Sequence, residues 1–463
     1  MKILLVKPYN VSDHIQPSLG LGYLATACRE KGHDVAIIDC IKEGLRVDYL
    51  IEKIGDLKAD MIGVQCYTFD LNFVKEILER CKGLNRNMYT AIGGPHPSAT
   101  PKMSFEYFKD SLDFVFVGEA EKSLQLLLDK LEGTSTVDFA QIGGLAWRDG
   151  GSLRVNPQVF TEDLDTLGMP AWDLIHPERY PESQHGAFFK KFPIAPVMFT
   201  RGCPFPCTFC AGSIVAGKRI RAHSIDFMLR EIRYLYDTHG IREFHVVDDN
   251  FTFDRNYVKE FLRRLITLDL DISWATPNGV RIDTLDEELL ELMKKSGMYL
   301  ISLGIESGSD RILGLMKKQT TVKKIRDGIS LIRSRGIDIA GFFIMGFPGE
   351  SREDIEKTIR FSLELDLIRA NYFTYLPFPG STSYNELKAA GQLGDVDWDR
   401  FYFMNAPYVP KGMARSGLKA LQQRAFFRFY FRPAIFWKNL KQIRSFRHFK
   451  YLLKRFFHWI IMK

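Results

Sequence analysis

Thr200-Arg201-Gly202-Cys203-Pro204-Phe205-Pro206-Cys207-Thr208-Phe209-Cys210 packs three cysteines into eight residues as CxxxCxxC. Thiolates this close in sequence can ligate one small metal centre without help from distant chain. Cysteines hold iron–sulfur clusters, and a [4Fe–4S] cube takes four ligands. No fourth cysteine lies nearby, so one iron would be open to a non-protein ligand. An open iron beside a small molecule points to catalysis more than to electron storage. Two other assignments compete: a structural zinc site of three cysteines and a histidine, with His223 as the fourth ligand, and a chance grouping of thiols.

The loop follows an apolar run, Ala195 to Thr200, and opens a series of strand–helix alternations. Between 193 and about 380 the periodicity predicts six strands: 196–200, 243–248, 272–276, 299–305, 339–345 and 371–377. Helices are predicted at 224–238, 255–268, 286–296, 322–335 and 352–365. Six such units make a partial (β/α)6 barrel of the TIM type, with its chemistry at the C-terminal strand ends.

This region resembles the radical SAM superfamily, whose CxxxCxΦC motif is matched here with Phe209 at the aromatic position. The resemblance implies a [4Fe–4S] cluster on Cys203, Cys207 and Cys210, its open iron chelated by the amino and carboxylate groups of S-adenosylmethionine. One electron then splits the sulfonium to a 5′-deoxyadenosyl radical, so the cofactor carries the hard chemistry. It also implies a low-potential electron donor such as a flavodoxin or ferredoxin. Cofactor contacts are expected at successive strand ends. Asp248 and Asp249 stand where the family has its GGE motif and can accept from the methionyl ammonium; helix N-capping is the structural alternative. Arg281 can clamp the cofactor carboxylate with its fork, or simply pair with Asp283 or Glu306. Glu306, in the string GIESGS, can accept from the ribose hydroxyls. Gly341–Gly349, with Ile344 and Gly346, resembles the adenine-contacting GxIxGxxG segment.

Residues 1–132 read as five strand–helix units, with apolar strands at 2–6, 35–39, 61–66, 89–93 and 114–117 and helices at 20–30, 72–81 and 119–131. That pattern predicts a Rossmann-like, doubly wound parallel sheet whose ligand edge is at the strand C-terminal ends. Pro8, Gln65, Gly93, Gly94, Gly118 and Glu119 fall on that edge, though turn chemistry would account for each alone. As a set, with PSLGLGYLATACREKGHDVAIID, AIGGPHPSATP and DFVFVGEAEKSL, they resemble the cobalamin-binding domain that precedes many radical SAM domains. One departure stands out. The family often carries DxHxxG, whose histidine ligates cobalt; here Asp13-His14-Ile15-Gln16-Pro17 has the Asp adjacent and no glycine. His14 is therefore read as a loop residue. Either cobalamin binds without a protein histidine or the domain has lost it. Methylthiotransferases place a second cluster in such a domain, and Cys28, Cys40, Cys66 and Cys81 are available. Cys28 and Cys81 sit in helical patterns among apolar neighbours, where a thiol behaves as a small hydrophobe.

The expected organisation is α/β: a cobalamin-type domain over 1–132, a connector over 133–192 with a hairpin near Gly143–Gly151, the barrel over 193–382, and a helical region over 383–463. At 463 residues, two or three domains are expected. Seven cysteines is an odd count without secretory spacing, which suits a reducing compartment. Met1–Val6 is short for a signal peptide, and no apolar run of about 18 residues is present, so a cytoplasmic protein is expected.

The net charge of +7 hides an asymmetry. No Asp or Glu follows Asp399, while residues 401–463 hold 14 Lys and Arg. Removing those 14 from the chain's 63 leaves 49 basic against 56 acidic groups in residues 1–400. A mildly acidic body argues against nucleic acid as a partner. On a helical wheel over 446–462, Phe446, Phe449, Leu452, Leu453, Phe456, Phe457, Trp459 and Ile460 share one arc, and Arg447, Lys450, Lys454, Arg455 and His458 the other. This mix suits a helix lying at an anionic membrane surface, with a helix docked on the barrel as the alternative. Such a surface would supply a lipid-like substrate. The expected activity is cobalamin-dependent methylation of an unactivated carbon in a small molecule. An anaerobic oxidative, ring-forming or rearrangement reaction on a lipid or tetrapyrrole is the alternative. A methylthiotransferase or a non-catalytic cluster-binding protein stands further off.

Overall fold

Continuous apolar strands need cover on both faces, and in this chain the helices between them supply it. The computed structural model describes residues 1–9, 15–182, 189–394, 396–441, 443, 445, 446, 448–450, 452 and 453. The reading of His14 as a loop residue lies outside them. The chain divides into two compact units: Met1–Pro181 with Arg201–Pro204 and Ala211–His223, and Glu182–Thr200 with Phe205–Cys210 and Ser224–Lys463.

The first unit is built on a seven-stranded sheet: β1 (Lys2–Lys7), β2 (Asp34–Asp39), β3 (Met61–Gln65), β4 (Tyr89–Gly93), β5 (Phe114–Phe116), β6 (Leu145–Asp149) and β7 (Ser152–Val155), in the order β2-β1-β3-β4-β5-β6-β7. The first five pair in parallel, as their apolar runs predict. The hairpin expected in a separate connector instead continues this sheet. β6 pairs antiparallel with β5, setting Trp147 opposite Phe114, and β7 pairs antiparallel with β6. The reason is an edge problem: without β6, the three-residue β5 would present its unpaired backbone to water. The periodicity missed the helix Val47–Leu57, although Val47, Leu50, Ile51 and Ile54 are buried at helical spacing. Cys28, Cys40, Cys66 and Cys81 are all buried, and burial pushes the Cys28, Cys40 and Cys81 thiols up to about 12. Buried, neutral thiols of this kind are packing residues, which removes the basis for a second cluster.

The remaining strands are β8 (Ile194–Val197), β9 (Thr200–Arg201), β10 (Arg221–Ala222), β11 (Glu243–Val246), β12 (Ser273–Val280), β13 (Met298–Glu306), β14 (Asp338–Met345) and β15 (Arg369–Thr374). β9 and β10 form a short ribbon. The other six make one parallel sheet in chain order, β8-β11-β12-β13-β14-β15. Helices Ile225–Thr238, Arg255–Thr267, Glu287–Lys295, Val322–Ser334 and Arg352–Glu364 fill the crossovers, giving the partial barrel. Each begins where a short polar side chain can hold a free N–H: Ser224, Asp254, Asp286, Thr321 and Ser351 all cap in this way.

The helix Arg415–Tyr430 covers the barrel through Leu418, Leu421, Ala425 and Phe429, and Gln422 Nε2 donates to Tyr372 O at 2.7 Å. The part of the helical region 383–463 that precedes the 446–462 wheel is thus docked on protein in this helix. Those four residues are buried and the helix packs against β15, whereas Phe427 is exposed. Most of the wheel drawn over 446–462 lies outside the described residues. Among those described, no helix is long and apolar enough to cross a membrane.

One buried acid anchors the N-terminal ends of the barrel strands. Glu243 is fully buried and accepts from Lys190 N at 2.7 Å, from the Lys191 N–H, from Tyr299 Oη at 2.6 Å and from His245 Nε2 at 2.9 Å. Glu243→Ala would strand these donors, so it should cost about 3 kcal/mol. A urea titration of both proteins at one pH should show the lower midpoint.

Candidate functional site

A loop bearing reactive thiols has no ladder of its own, so its backbone needs partners from elsewhere. At its entrance Asp248, 2% exposed, takes the Phe199 N–H on Oδ1 at 2.9 Å. Oδ2 takes the Thr200 N–H and hydroxyl, both at 2.7 Å. Burial pushes the acid up to about 7, against the pull of these three donors. Asp248, expected to meet the cofactor ammonium, therefore acts through the backbone before the cysteines. Asp249 beside it is exposed, and desolvation by the atoms crowded around it raises its carboxyl too. Capping falls to Asp254, so the pair is not a helix cap.

In the first unit Gly202 takes φ +103°, and a Cβ there would lie 2.2 Å from Arg219 O. Cys203 N donates to Gly217 O at 3.1 Å. Arg201 is buried with Nη2 2.8 Å from Glu121 and Nη1 3.5 Å from Glu119, its guanidinium 4.9 Å from the Tyr23 ring centroid. Burial opposes that charge, but the two acids hold it above its ordinary range. Glu119 also receives both arms of Arg221, at 2.7 and 2.9 Å, and the Thr161 N–H. An acid expected on the cobalamin edge is thus committed to arginines. His223 meets Tyr23 Oη through Nε2 at 3.3 Å and Asp165 through Nδ1 at 3.0 Å. With both ring nitrogens engaged and its pKa lowered to about 4 by burial, His223 is not the fourth ligand of a zinc site.

In the second unit Thr208 fixes the loop: its N–H donates to Met316 O at 3.0 Å, and its carbonyl accepts from Ser383 N and Oγ. Phe209 packs against the cluster of Ile312, Met316, Phe347 and Tyr375, as does Ile344. Arg281 forks onto Asp283 at 3.1 and 3.0 Å, donates to Lys318 O at 2.8 Å and stacks 3.7 Å from the Phe205 ring centroid. The salt-bridge alternative holds for Arg281. Its Nη1 still lies 4.0 Å from Cys207 Sγ. Burial raises the Cys207 thiol, while Lys318 and Arg281 oppose that rise.

Glu306, with φ +62°, pairs with Lys318 at 2.7 Å, both side chains buried. A Cβ at Gly304 would lie 2.5 Å from Glu306 Oε1 and 2.7 Å from Lys318 Nζ, which is why this strand carries glycine there. Lys318 had no signal in the sequence; only the fold brings it to Glu306. At the end of β14, Gly346 has φ +81°, and a Cβ there would meet Leu418 at 2.6 Å. Glu350 holds that turn by accepting from the Gly346 and Phe347 N–H groups on Oε2, while its buried Oε1 has no hydrogen-bond partner among the described residues. Burial pushes Glu350 up to about 8. It too carried no sequence signal.

On the first unit's edge, Pro8 is buried after β1 and Gln65 is half-buried at the end of β3, where it accepts from Ser18 Oγ at 3.2 Å. Gly94 takes φ +116° against the Cys66 backbone, and Gly93 would leave a Cβ in ordinary contact with Phe116 at 3.7 Å. Gly118, at φ +83°, is covered by Gln158. These residues sit at adjacent strand ends and leave backbone approachable at Gly93, which fits a flat ligand edge. For the cluster, the donor set fits: Cys203, Cys207 and Cys210 are in no disulfide, and Cys207 has two cations near it. Among the described residues no three ligand side chains are already gathered as a metal centre.

The family model described as the radical SAM superfamily matches residues 197–362, and that of the B12 binding domain matches 9–128. The chain is 31% identical to an uncharacterised methyltransferase of Pyrococcus horikoshii, over 98% of this chain and 97% of the relative. It is 27% identical to an anaerobic magnesium-protoporphyrin IX monomethyl ester cyclase of Rubrivivax gelatinosus, over 94% of this chain and 78% of the relative. Its fold is similar to that of the radical S-adenosylmethionine methyltransferase TsrM from Kitasatospora setae, solved with cobalamin and a [4Fe–4S] cluster. The TM-score is 0.71 at 19% identity, covering 92% of this chain and 85% of the other.

Two substitutions test the site's supports. Gly202→Ala forces a Cβ into Arg219 O, so it should cost at least about 2 kcal/mol and lower the iron retained after anaerobic reconstitution. Glu350→Gln tests a buried, protonated acid. A carboxyl raised from 4.5 to about 8 on folding gives its full stability below the lower value and loses it as pH rises toward the upper. The parent's urea midpoint should therefore fall from pH 5 to 8 by the equivalent of up to about 4 kcal/mol. The glutamine variant should lose Glu350's share of that slope and keep the share from Asp248, which is raised to about 7.

Proposed function

Because the chain belongs to the B12-binding radical SAM family, we propose that it is a cobalamin-dependent methyltransferase acting on an unactivated carbon of a small-molecule substrate. It is a radical SAM enzyme with a B12-binding domain, and that membership implies a [4Fe–4S] cluster, S-adenosylmethionine and cobalamin. When bound, these groups supply a 5′-deoxyadenosyl radical and a transferable methyl group. The observation that carries the reading is end-to-end similarity to a relative named a methyltransferase.

The chain's own residues then divide by role. Cys203, Cys207 and Cys210 would hold the cluster, with Arg281 and Lys318 favouring thiolate at Cys207. Asp248 is a positioning residue, since its carboxylate acts on the loop backbone. Asp249, exposed at the same strand end, is left to accept from an ammonium. Lys318 orients Glu306 toward hydroxyl groups by holding one of its oxygens. Ile344 and Gly346 would offer backbone to the adenine, and Phe209 keeps the loop packed. Pro8, Gln65, Gly93, Gly94 and Gly118 would border cobalamin. Glu119 acts on Arg201 and Arg221, beside the loop. A flavodoxin or ferredoxin would deliver the electron.

A ring-forming reaction is the second reading, favoured by the similarity to a cyclase over 94% of this chain. Anaerobic reconstitution should give about four irons per chain, and the Cys203→Ala, Cys207→Ala, Cys210→Ala triple variant none. With a reductant and candidate substrates, S-adenosylhomocysteine formed together with 5′-deoxyadenosine supports methylation. 5′-Deoxyadenosine alone would replace it with the ring-forming reading, and neither product would overturn both.

A further inference from the structure

Every charged side chain after Asp399 is basic, and from Phe427 onward the described part of that tail leaves several aromatic rings uncovered. The helix Arg415–Tyr430 buries one face on the barrel, but Phe427 at its far end is exposed, its ring centroid 5.6 Å from that of Phe431, itself 65% exposed. In the helix Pro433–Leu440 only Ile435 is buried; Phe436, Trp437 and Leu440 are exposed. Further along, His448 is buried with its ring 5.3 Å from Phe189, and Ser445 donates to Glu182 at 3.4 Å. This contact turns Phe446, 72% exposed, Phe449 and Leu453 outward on one helical face. A helix that simply capped the barrel would bury that face and leave the polar one to water. Here the docked residue is a histidine.

The cations lie among these rings. Arg428, Lys438 and Lys441 are exposed, with no ion-pair partner among the described residues, and Lys450 sits 4.8 Å from the Phe446 ring centroid. We propose that the described residues between 427 and 453 form a docking surface for an anionic lipid bilayer. Exposed Phe and Trp gain at the bilayer interface, and unpaired Lys and Arg gain from anionic headgroups. A second copy of the same surface fits poorly, since the tail has cations and no acid to meet them. With no described helix able to cross a membrane, these residues would lie along it. The surface is separate from the residues assigned to cofactors, so the inference stands whichever reaction the enzyme performs. A substrate reached from that surface would be lipid-like.

The test uses the full-length protein and vesicles of phosphatidylcholine with or without phosphatidylglycerol. The protein should sediment with the anionic vesicles at low salt, and less at high salt. The variants Phe431→Ser/Phe436→Ser/Trp437→Ser and Lys438→Gln/Lys441→Gln should each lower the partition constant by roughly tenfold or more. Both should still cleave S-adenosylmethionine to 5′-deoxyadenosine, which shows that the barrel is folded. Indifference of the full-length protein to anionic vesicles at low salt would overturn the proposal. So would wild-type partitioning by either variant. A dimer in solution that the aromatic variant converts to monomer, without vesicle binding, would make a second copy the occupant instead.

Discussion

The site depends on one constraint: a segment carrying three thiols in eight residues has no regular hydrogen-bond partners, and its backbone must be held by side chains and carbonyls from elsewhere. Asp248 does this at the end of β8, with both oxygens on backbone or hydroxyl donors. Met316 and Ser383 do it around Thr208. Gly202 allows the loop's close approach by conformation, at a φ where an added Cβ would meet Arg219 O. None of these ties uses a cysteine thiol, and none of the three cysteines is in a disulfide.

Charge is arranged around the loop in a similar way. Arg201 is buried between Glu119 and Glu121 in the first unit, and Arg281 and Lys318 are engaged by Asp283 and Glu306 in the second. Breaking any such pair would leave an uncompensated buried charge, a cost of about 3 kcal/mol or more. These groups are therefore fixed in place rather than free to follow a ligand. Preorganised charge is what a site that handles a sulfonium cofactor and a cluster can use, because nothing must reorient during the reaction. The same fixity explains why Arg281 and Glu119, read from sequence as direct ligand contacts, are bound to protein partners.

Periodicity placed all six barrel strands and all five barrel helices, because an apolar run with a polar cap at each helix start is local information. The cysteine spacing and the strand-end motifs were equally local, and they carried the family. The helix Arg415–Tyr430 could not be assigned a partner from sequence for a related reason. A helix with apolar residues on one side fits either a bilayer or a barrel, and only the packing of Leu418, Leu421 and Phe429 chose the barrel for Arg415–Tyr430.

The sequence by itself determined the α/β architecture, the thiol set and the basic tail, since each follows from neighbouring residues. Tertiary structure alone decided the partners. Nothing near Glu306 in the chain announces Lys318, nothing near Gly346 announces the role of Glu350, and nothing near Trp147 announces that its strand completes the first sheet. Asp248 shows the distinction most clearly: its residue type and its place at a strand end were legible. Whether it faced a ligand or the backbone of Phe199 and Thr200 depended on how β8 and β11 lie beside each other. Hydrogen bonds between residues 48 and 49 apart have no local signature, because loop closure brings them together only after the sheet has formed.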